Sequence, residues 1–238
     1  MNSIYLGLTG ASARERQVEV VANNLANVST TAFKGDRVRF ESVLLSQEGA
    51  TGVKVAATVP DLSDGSMVAT GRALDVALDG DGLMAVRGAA GERYVRGGSL
   101  MIDADGELAL TTGEVVIAET GRTLRVGRGN EERVSFTNGG EVLVDGASVG
   151  QLRLRAFANP EALVREGAGR FRAPPEAGAQ KGNVHVHGAT LEHANSDVTR
   201  GLVEMIRLQR AYEVQLEAMR QRDGITHTTI EEVGQISR

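Results

Sequence analysis

The chain has 238 residues, enough for one large domain or two modest ones, and carries a formal net charge of −5 from 26 basic and 31 acidic side chains. No basic run stands out, which argues against a nucleic-acid partner, and the absence of Cys excludes disulfides, thiolate metal sites and a Cys nucleophile together. Aromatics make up only 3% with no Trp, so a sugar- or base-stacking site is not expected, while 30 Gly against 4 Pro point to many tight turns between short strands.

The opening stretch lacks a basic n-region, and its apolar run is broken by Arg14, Glu15 and Arg16, so it does not read as a secretory signal. No segment approaches the length of a membrane-spanning helix. These signals alone point to the cytoplasm, although some export routes read no cleavable signal. Residues 3 to 27 place Ile4, Leu8, Ala11, Val18, Ala22 and Leu25 at helical spacing on alternating a and d sites, interrupted only by Glu15. A thinner stripe repeats at Leu6, Ala13 and Val20. The helix is expected to end in the Asn- and Thr-rich stretch 23–31, since Asn tolerates a left-handed C-terminus.

From about 34 to 188 short β-rich runs alternate with the dipeptides that favour tight hairpins: Asp64-Gly65, Asp79-Gly80, Asp81-Gly82, Asp105-Gly106, Asn138-Gly139 and Asp145-Gly146. In residues 151–157, Leu152, Leu154 and Ala156 face one way and Arg153 and Arg155 the other. The expectation is a sandwich- or barrel-like domain of mostly antiparallel strands. A second helix is expected from 195 to about 223, with Val198, Leu202, Met205, Gln209, Tyr212, Leu216 and Met219 on one stripe and Val203, Ala211, Val214 and Ala218 on another. One apolar stripe needs one partner; two need two. Ordering such helices costs about 1–2 kcal/mol per residue in backbone entropy, and burying a Leu or Met returns about 1.5–3 kcal/mol. One seam containing Ala11, Glu15, Ala22 and Gln209 does not cover that cost, so the helices are expected to order fully only against neighbouring copies. The alternative docks both on the β-domain of the same chain.

Residues 21 to 34, centred on Asn23-Asn24-Leu25-Ala26-Asn27 and ending Thr30-Thr31-Ala32-Phe33-Lys34, resemble the N-terminal signature of bacterial flagellar rod and hook proteins. Ala32 stands where that signature usually has Gly. Residues 74 to 86 resemble the family's strand-and-turn motif, with Leu83 and Met84 replacing two Phe. The hairpin region beginning Tyr94-Val95-Arg96-Gly97-Gly98 is similar to another. Leu191-Glu192-His193-Ala194-Asn195-Ser196-Asp197-Val198, then Glu204-Met205-Ile206 and Gln209-Arg210-Ala211-Tyr212-Glu213, are similar to the C-terminal signature. The opening from Ile4 to Ser12 is similar to the proximal-rod members, with the distal-rod members as the alternative.

The resemblance implies an α+β fold. The N- and C-terminal helices would pair into a coiled-coil-like inner domain around a channel, with the mostly antiparallel β-rich domain outside it. The segments are then 1–35 (helix and signature loop), 36–190 (β-rich outer domain) and 191–238 (C-terminal helix). It also implies a structural subunit of the basal-body rod, not an enzyme, without cofactor or small-molecule substrate. Such a subunit is exported through the flagellar type III apparatus without a cleaved signal and assembles helically with itself and other rod proteins into a hollow shaft. That replaces the cytoplasmic expectation. Leu8, Val18, Leu25, Leu202, Met205, Tyr212 and Leu216 are the expected assembly residues. Asn23, Asn24 and Asn27 would be inter-subunit hydrogen bonders or, equally well, helix-end caps. Thr30, Phe33, Lys34, Gln209, Arg210 and Ala211 complete the signature set.

Two groups of side chains offer chemical alternatives. His185 and His187 share a strand face and His193 follows, which offers the ligand types of a zinc site in a soluble metal-binding β-protein; the plain reading is a linker before the last helix. Asp103, Asp105 and Glu107 lack the twelve-residue spacing of a calcium loop and fit a hairpin turn. No phosphate-binding Gly loop or nucleophile motif is present.

Overall fold

The computed structural model describes residues 2–44 and 51–236. The chain divides into two compact units, one of Met1–Leu25, Asp36–Thr58 and Val198–Arg238, the other of Ala26–Gly35 and Val59–Asp197.

The first unit holds helix α1 (Asn2–Ala26), a two-stranded ribbon of β1 (Asp36–Leu44) and β2 (Thr51–Pro60), whose last residues enter the second unit, and the 39-residue helix α2 (Val198–Ile236). At 1.5 Å per residue α2 is about 58 Å long. No described helix is long and apolar enough to cross a membrane.

The expected coiled-coil-like pairing of the terminal helices is not what forms. The described residues form two α-helices and a large, mostly antiparallel β-rich body. The physical reason lies in which positions are covered. Among the α1 residues whose side chains are described, the buried ones are Ala11, Ala13 and Val20, largely the thinner stripe, while Ala22 of the supposed seam is exposed. On α2, Val198 and Leu202 are 45% and 46% exposed. The half-buried residues are instead Gly201, Met205, Leu208, Ala211, Tyr212, Gln215, Leu216 and Met219. The helices meet through small and polar groups. A Cβ on Gly10 would lie 2.6 Å from Gln215 Nε2, Arg14 Nε donates to Gln215 Oε1 at 2.9 Å, and Gly201 faces Leu25. Knobs-into-holes packing needs large apolar knobs fully enclosed at a and d, and here the seam positions are small, as at Ala11, exposed, as at Ala22, Val198, Leu202 and Gln209, or only half-buried, as at Met205, Tyr212 and Leu216.

The second unit begins with β3 (Met67–Ala69), β4 (Asp75–Asp79), β5 (Leu83–Gly88), β6 (Gly91–Val95) and β7 (Gly97–Ile102). It continues through β8 (Leu108–Leu110), β9 (Val115–Val116), β10 (Val134–Phe136), β11 (Glu141–Val144), β12 (Ala147–Gln151) and β13 (Leu154–Phe157). The short strands β14 (Val164–Arg165), β15 (Phe171–Arg172) and β16 (Ala179–Lys181) follow, then β17 (His185–Gly188) and β18 (Thr190–Glu192). Its main sheet runs β14-β15-β6-β5-β9-β8-β7-β4-β17, with β13 joining β5 to β16; β10-β11-β12 and β18-β3 form smaller sheets. Its strand pairs run antiparallel.

Strand β5 explains the apolar run of its sequence. Met84 and Val86 enter one cluster with Leu78, Leu100, Leu108 and Val186, while Leu83 and Ala85 enter another with Tyr94, Ile117, Phe157 and Phe171. A strand covered on both faces loses its polar alternation. The alternation of residues 151–157 appears as expected in part: Leu152 and Leu154 lie in the first cluster, and Arg153 and Arg155 pair with Glu92 and Glu119. Asp105-Gly106, Asn138-Gly139 and Asp145-Gly146 close the hairpins β7–β8, β10–β11 and β11–β12. Asp145 and Gly146 have φ of 51° and 79°, the two left-handed residues a type I′ turn demands. The other three dipeptides do not make hairpins: Asp79-Gly80 and Asp81-Gly82 follow β4, which pairs with β7 and β17 rather than β5, and Asp64-Gly65 precedes β3, which pairs with β18 rather than β2.

Candidate functional site

The loop 26–35 folds as consecutive turns. Thr30 N donates to Asn27 O at 2.9 Å and Phe33 N to Thr30 O at 3.2 Å. Ala32 follows with φ of 55°, a left-handed conformation that costs a non-Gly residue about 1–2 kcal/mol. Its N–H is fixed by Glu192 O at 2.7 Å. The turn sends Phe33 and Lys34 inward, and both are buried.

Lys34 and Glu192 are each fully buried, with Nζ 2.5 Å from Oε1. Lys34 Nζ also donates to Ser63 O at 2.7 Å, and Gly65 N donates to the same Glu192 Oε1 at 2.6 Å. Arg96, 1% exposed, lies 3.2 Å through Nε from Glu192 Oε2, donates to Gly80 O and Gly82 O at 2.5 and 2.6 Å, and pairs with Asp64. Two cations and two carboxylates thus neutralise one another, with Lys34, Glu192 and Arg96 buried and Asp64 at the solvent edge. Burial pushes the Lys34 ammonium below its usual 10.5, opposed by the hydrogen bond and charge of Glu192.

Asn195 closes the other side. Its Oδ1 accepts from Gly35 N at 2.7 Å, its Nδ2 donates to Asp61 O at 2.8 Å and Ser63 O at 3.1 Å, and its N–H reaches Phe33 O at 3.3 Å. Arg165 donates to Lys34 O and lays its guanidinium 4.8 Å from the Phe33 ring centroid and 4.9 Å from that of Phe171. Both oxygens of Glu192 and the Arg96 guanidinium are spent on protein partners. This is a fastener, with no base or nucleophile held ready for a substrate.

Two family models match the segments that this fastener joins. "Flagella basal body rod protein" covers residues 4–34, and "Flagellar basal body rod FlgEFG protein C-terminal" covers 188–231. The chain is 33% identical over 237 residues to the basal-body rod protein FlgF of Escherichia coli, spanning 92% of each. The chain belongs to the flagellar basal-body rod proteins. Among the other rod proteins, it is 29% identical over 246 residues to FlgG of Bacillus subtilis, covering 90% of this chain and 92% of FlgG. It is 26% identical over 247 residues to FlgF of Caulobacter vibrioides, covering 99% of each chain. Proteins of this family are structural components of the basal body, and so is this one: it is a rod subunit and not an enzyme.

The rod signature residues are dispersed over the two units. Asn24 Nδ2 donates to Asp36 O, and its Oδ1 accepts from Asp36 N, both at 2.8 Å, which ties the end of α1 to the start of β1. Asn23 and Thr30 are exposed, Asn27 is half-buried, and Phe33 and Lys34 belong to the fastener. On α2, Leu202, Gln209 and Arg210 are exposed; Met205, Ala211, Tyr212 and Leu216 are half-buried. Val18 and Leu25 on α1 are half-buried, and the side chain of Leu8 lies outside the described residues. His185 and His187 lie on edge strand β17 opposite Asp79 and Ala77, His187 Nε2 being 3.8 Å from Asp79 Oδ2. Among the described residues no group of three His, Asp or Glu could hold a metal ion.

Glu192, Asn195 and Arg96 stood in the sequence only as members of motifs, Asp64 and Gly65 only as a hairpin dipeptide, and Arg165 carried no signal at all. The first two belong to the C-terminal signature and the third to the Tyr94 hairpin motif, but nothing in a linear motif says that their partner is Lys34.

Proposed function

We propose that this rod subunit occupies the FlgF place in the basal-body rod and contacts neighbouring rod subunits through the outward face of α2. The observation that carries the reading is the unpartnered apolar surface there. Val198, Leu202, Val203 and Ile206 are 44–50% exposed and Val214 is 70% exposed, within the segment matched by the rod C-terminal model. Such an exposed apolar run marks an association surface. Leu202 is the proposed contact residue on that face, and Leu8, Val18, Leu25, Met205, Tyr212 and Leu216 are proposed contacts elsewhere on the two helices, with Asn23 at the exposed end of α1. A heterologous contact of this kind repeats into a helical array, which gives a hollow shaft that transmits torque and passes exported subunits. Delivery through the flagellar type III export apparatus is part of the same proposal.

The FlgF place is favoured by the higher identity to the E. coli FlgF and by the alignment with Caulobacter FlgF over 99% of both chains. FlgG is the second reading, favoured by the B. subtilis match. Cryo-electron microscopy of basal bodies from the source bacterium, with this chain traced, decides between them. The expected result is the chain in the proximal rod with α2 against neighbouring subunits. Its absence from the rod, or a position in the distal layers, overturns the assignment.

A further inference from the structure

We propose that residues 26–35 form a strap that closes over an already folded β-rich unit, with the Glu192 carboxylate as the latch. The strap and its latch are 158 residues apart in sequence. The two apolar clusters of the unit, with the residues packed on them, run from Leu62 to Val186 and include neither the strap nor the 192–195 segment. The clusters therefore form without either piece. The strap, by contrast, takes four of its tethers from that segment. Glu192 supplies the acceptor for Ala32 N and the counter-charge for Lys34, and Asn195 supplies the acceptor for Gly35 N and a donor to Phe33 O.

Without residues 192–195, closing the strap would bury the Lys34 ammonium beside Arg96 with Asp64, itself 46% exposed in its side chain, as the remaining carboxylate of the network. Burying an ammonium without a close partner is far more costly than leaving it in water. The strap thus stays open until the chain on both sides of the β-rich unit has arrived, and then closes as one step. Fixing the exits of the chain toward α1 and toward α2 is in this way separate from forming the cores. The device does not depend on which rod position the subunit fills.

Native-state hydrogen exchange on the full-length chain tests it. At low denaturant the amides of Ala32, Gly35 and Asp61 should exchange through an opening that exposes little surface, well below the stability of Leu78, Val86 and Leu100. Glu192→Gln removes the charge and keeps the shape. It should speed the strap amides roughly 10- to 100-fold, the scale of losing one charged hydrogen bond, and leave the core amides within a few-fold. Strap and core amides that accelerate by one common factor would show a single cooperative unit and overturn the proposal. Strap amides unmoved by Glu192→Gln would remove the latch. In the unaltered protein, strap and core amides merging at one opening free energy would overturn it independently of any variant.

Discussion

Leu202→Asp separates what α2 does in the isolated subunit from what it does in the rod. Leu202 is 46% exposed, so about half of its transfer free energy is already unrealised in the monomer. Full burial of a Leu is worth about 1.5–3 kcal/mol, so the substitution removes about 1 kcal/mol of packing, and the poorer helix propensity of Asp adds about 0.5 kcal/mol. That loss falls on α2 and not on the β-rich unit, whose apolar clusters contain no α2 residue. In the rod the same site, if covered, loses the other half of the Leu burial and must also desolvate a carboxylate, a penalty of several kcal/mol. At about 1.4 kcal/mol per tenfold, each such contact weakens by more than 100-fold. The assay pairs three readouts in the source bacterium: melting of the purified subunit, its amount secreted into the medium, and the rod content of isolated basal bodies together with swimming. The expected outcome is near-normal melting of the β-rich unit and normal secretion, with no incorporation and no motility. Leu202→Ala, which introduces no charge, should retain part of the incorporation. Cells carrying Leu202→Asp that swim normally with intact rods would refute the assignment of this face.

Other outcomes follow from the fastener and its surroundings. Lys34→Met and Glu192→Leu should each lower the strap-opening free energy, read from Ala32 exchange, by about 3–5 kcal/mol or to the limit of full opening, while the double variant should cost clearly less than their sum; additive effects would mean the pair is not coupled. Gly65→Ala should destabilise by about 1–3 kcal/mol, because a Cβ there would sit 2.0 Å from His193 O, and unchanged stability in urea would contradict that close approach. The acid limb should be set by depressed carboxylates. Burial would raise Asp75, but hydrogen bonds from Thr70, Ser99 and Arg72 hold it below 3.8, and Glu114 is likewise held below 4.5 against its burial by Thr112 and Arg170. The Arg155 hydrogen bond lowers Glu119. A carboxylate lowered in the folded state binds its proton more weakly than in the unfolded chain, so its stabilisation is present above 4.5 and is lost as pH falls through the folded values. Glu114→Gln should flatten part of that decline; an acid limb of the same steepness would assign it elsewhere.

The fold was legible where local periodicity and burial coincide. The helices were expected at 3–27 and 195–223 and are found at Asn2–Ala26 and Val198–Ile236. The first end was signalled by the Asn-rich stretch. The second extends further because nothing between 223 and 236 is a Pro that would stop it. Packing of those helices was not legible. Heptad notation identified apolar positions but could not weigh Ala13 and Val20, which are buried, against Leu202, which is not. Likewise Asp64-Gly65 looked like a hairpin turn. Its Gly is needed instead for the approach of His193 O, from a segment more than a hundred residues away that no local rule could supply.

Ala32 shows most directly how the distant contacts govern the local one. A signature that usually has Gly at this position satisfies a left-handed turn without a Cβ penalty. With Ala, the strain of about 1–2 kcal/mol must be carried by whatever holds φ at 55°. The candidates are few: the Glu192 O acceptor at 2.7 Å on its own N–H, the Lys34–Glu192 pair two residues on, and the stacking of Arg165 over Phe33 between them. A hydrogen bond contributes about 0.5–1.5 kcal/mol and a cation–π contact about 0.5–2 kcal/mol, so it is together that they over-determine the turn, which is the condition under which a strained residue persists. A strap held by long-range charge and stacking can therefore tolerate a residue that its own turn disfavours. The fastener, rather than the turn sequence, is what preserves this conformation.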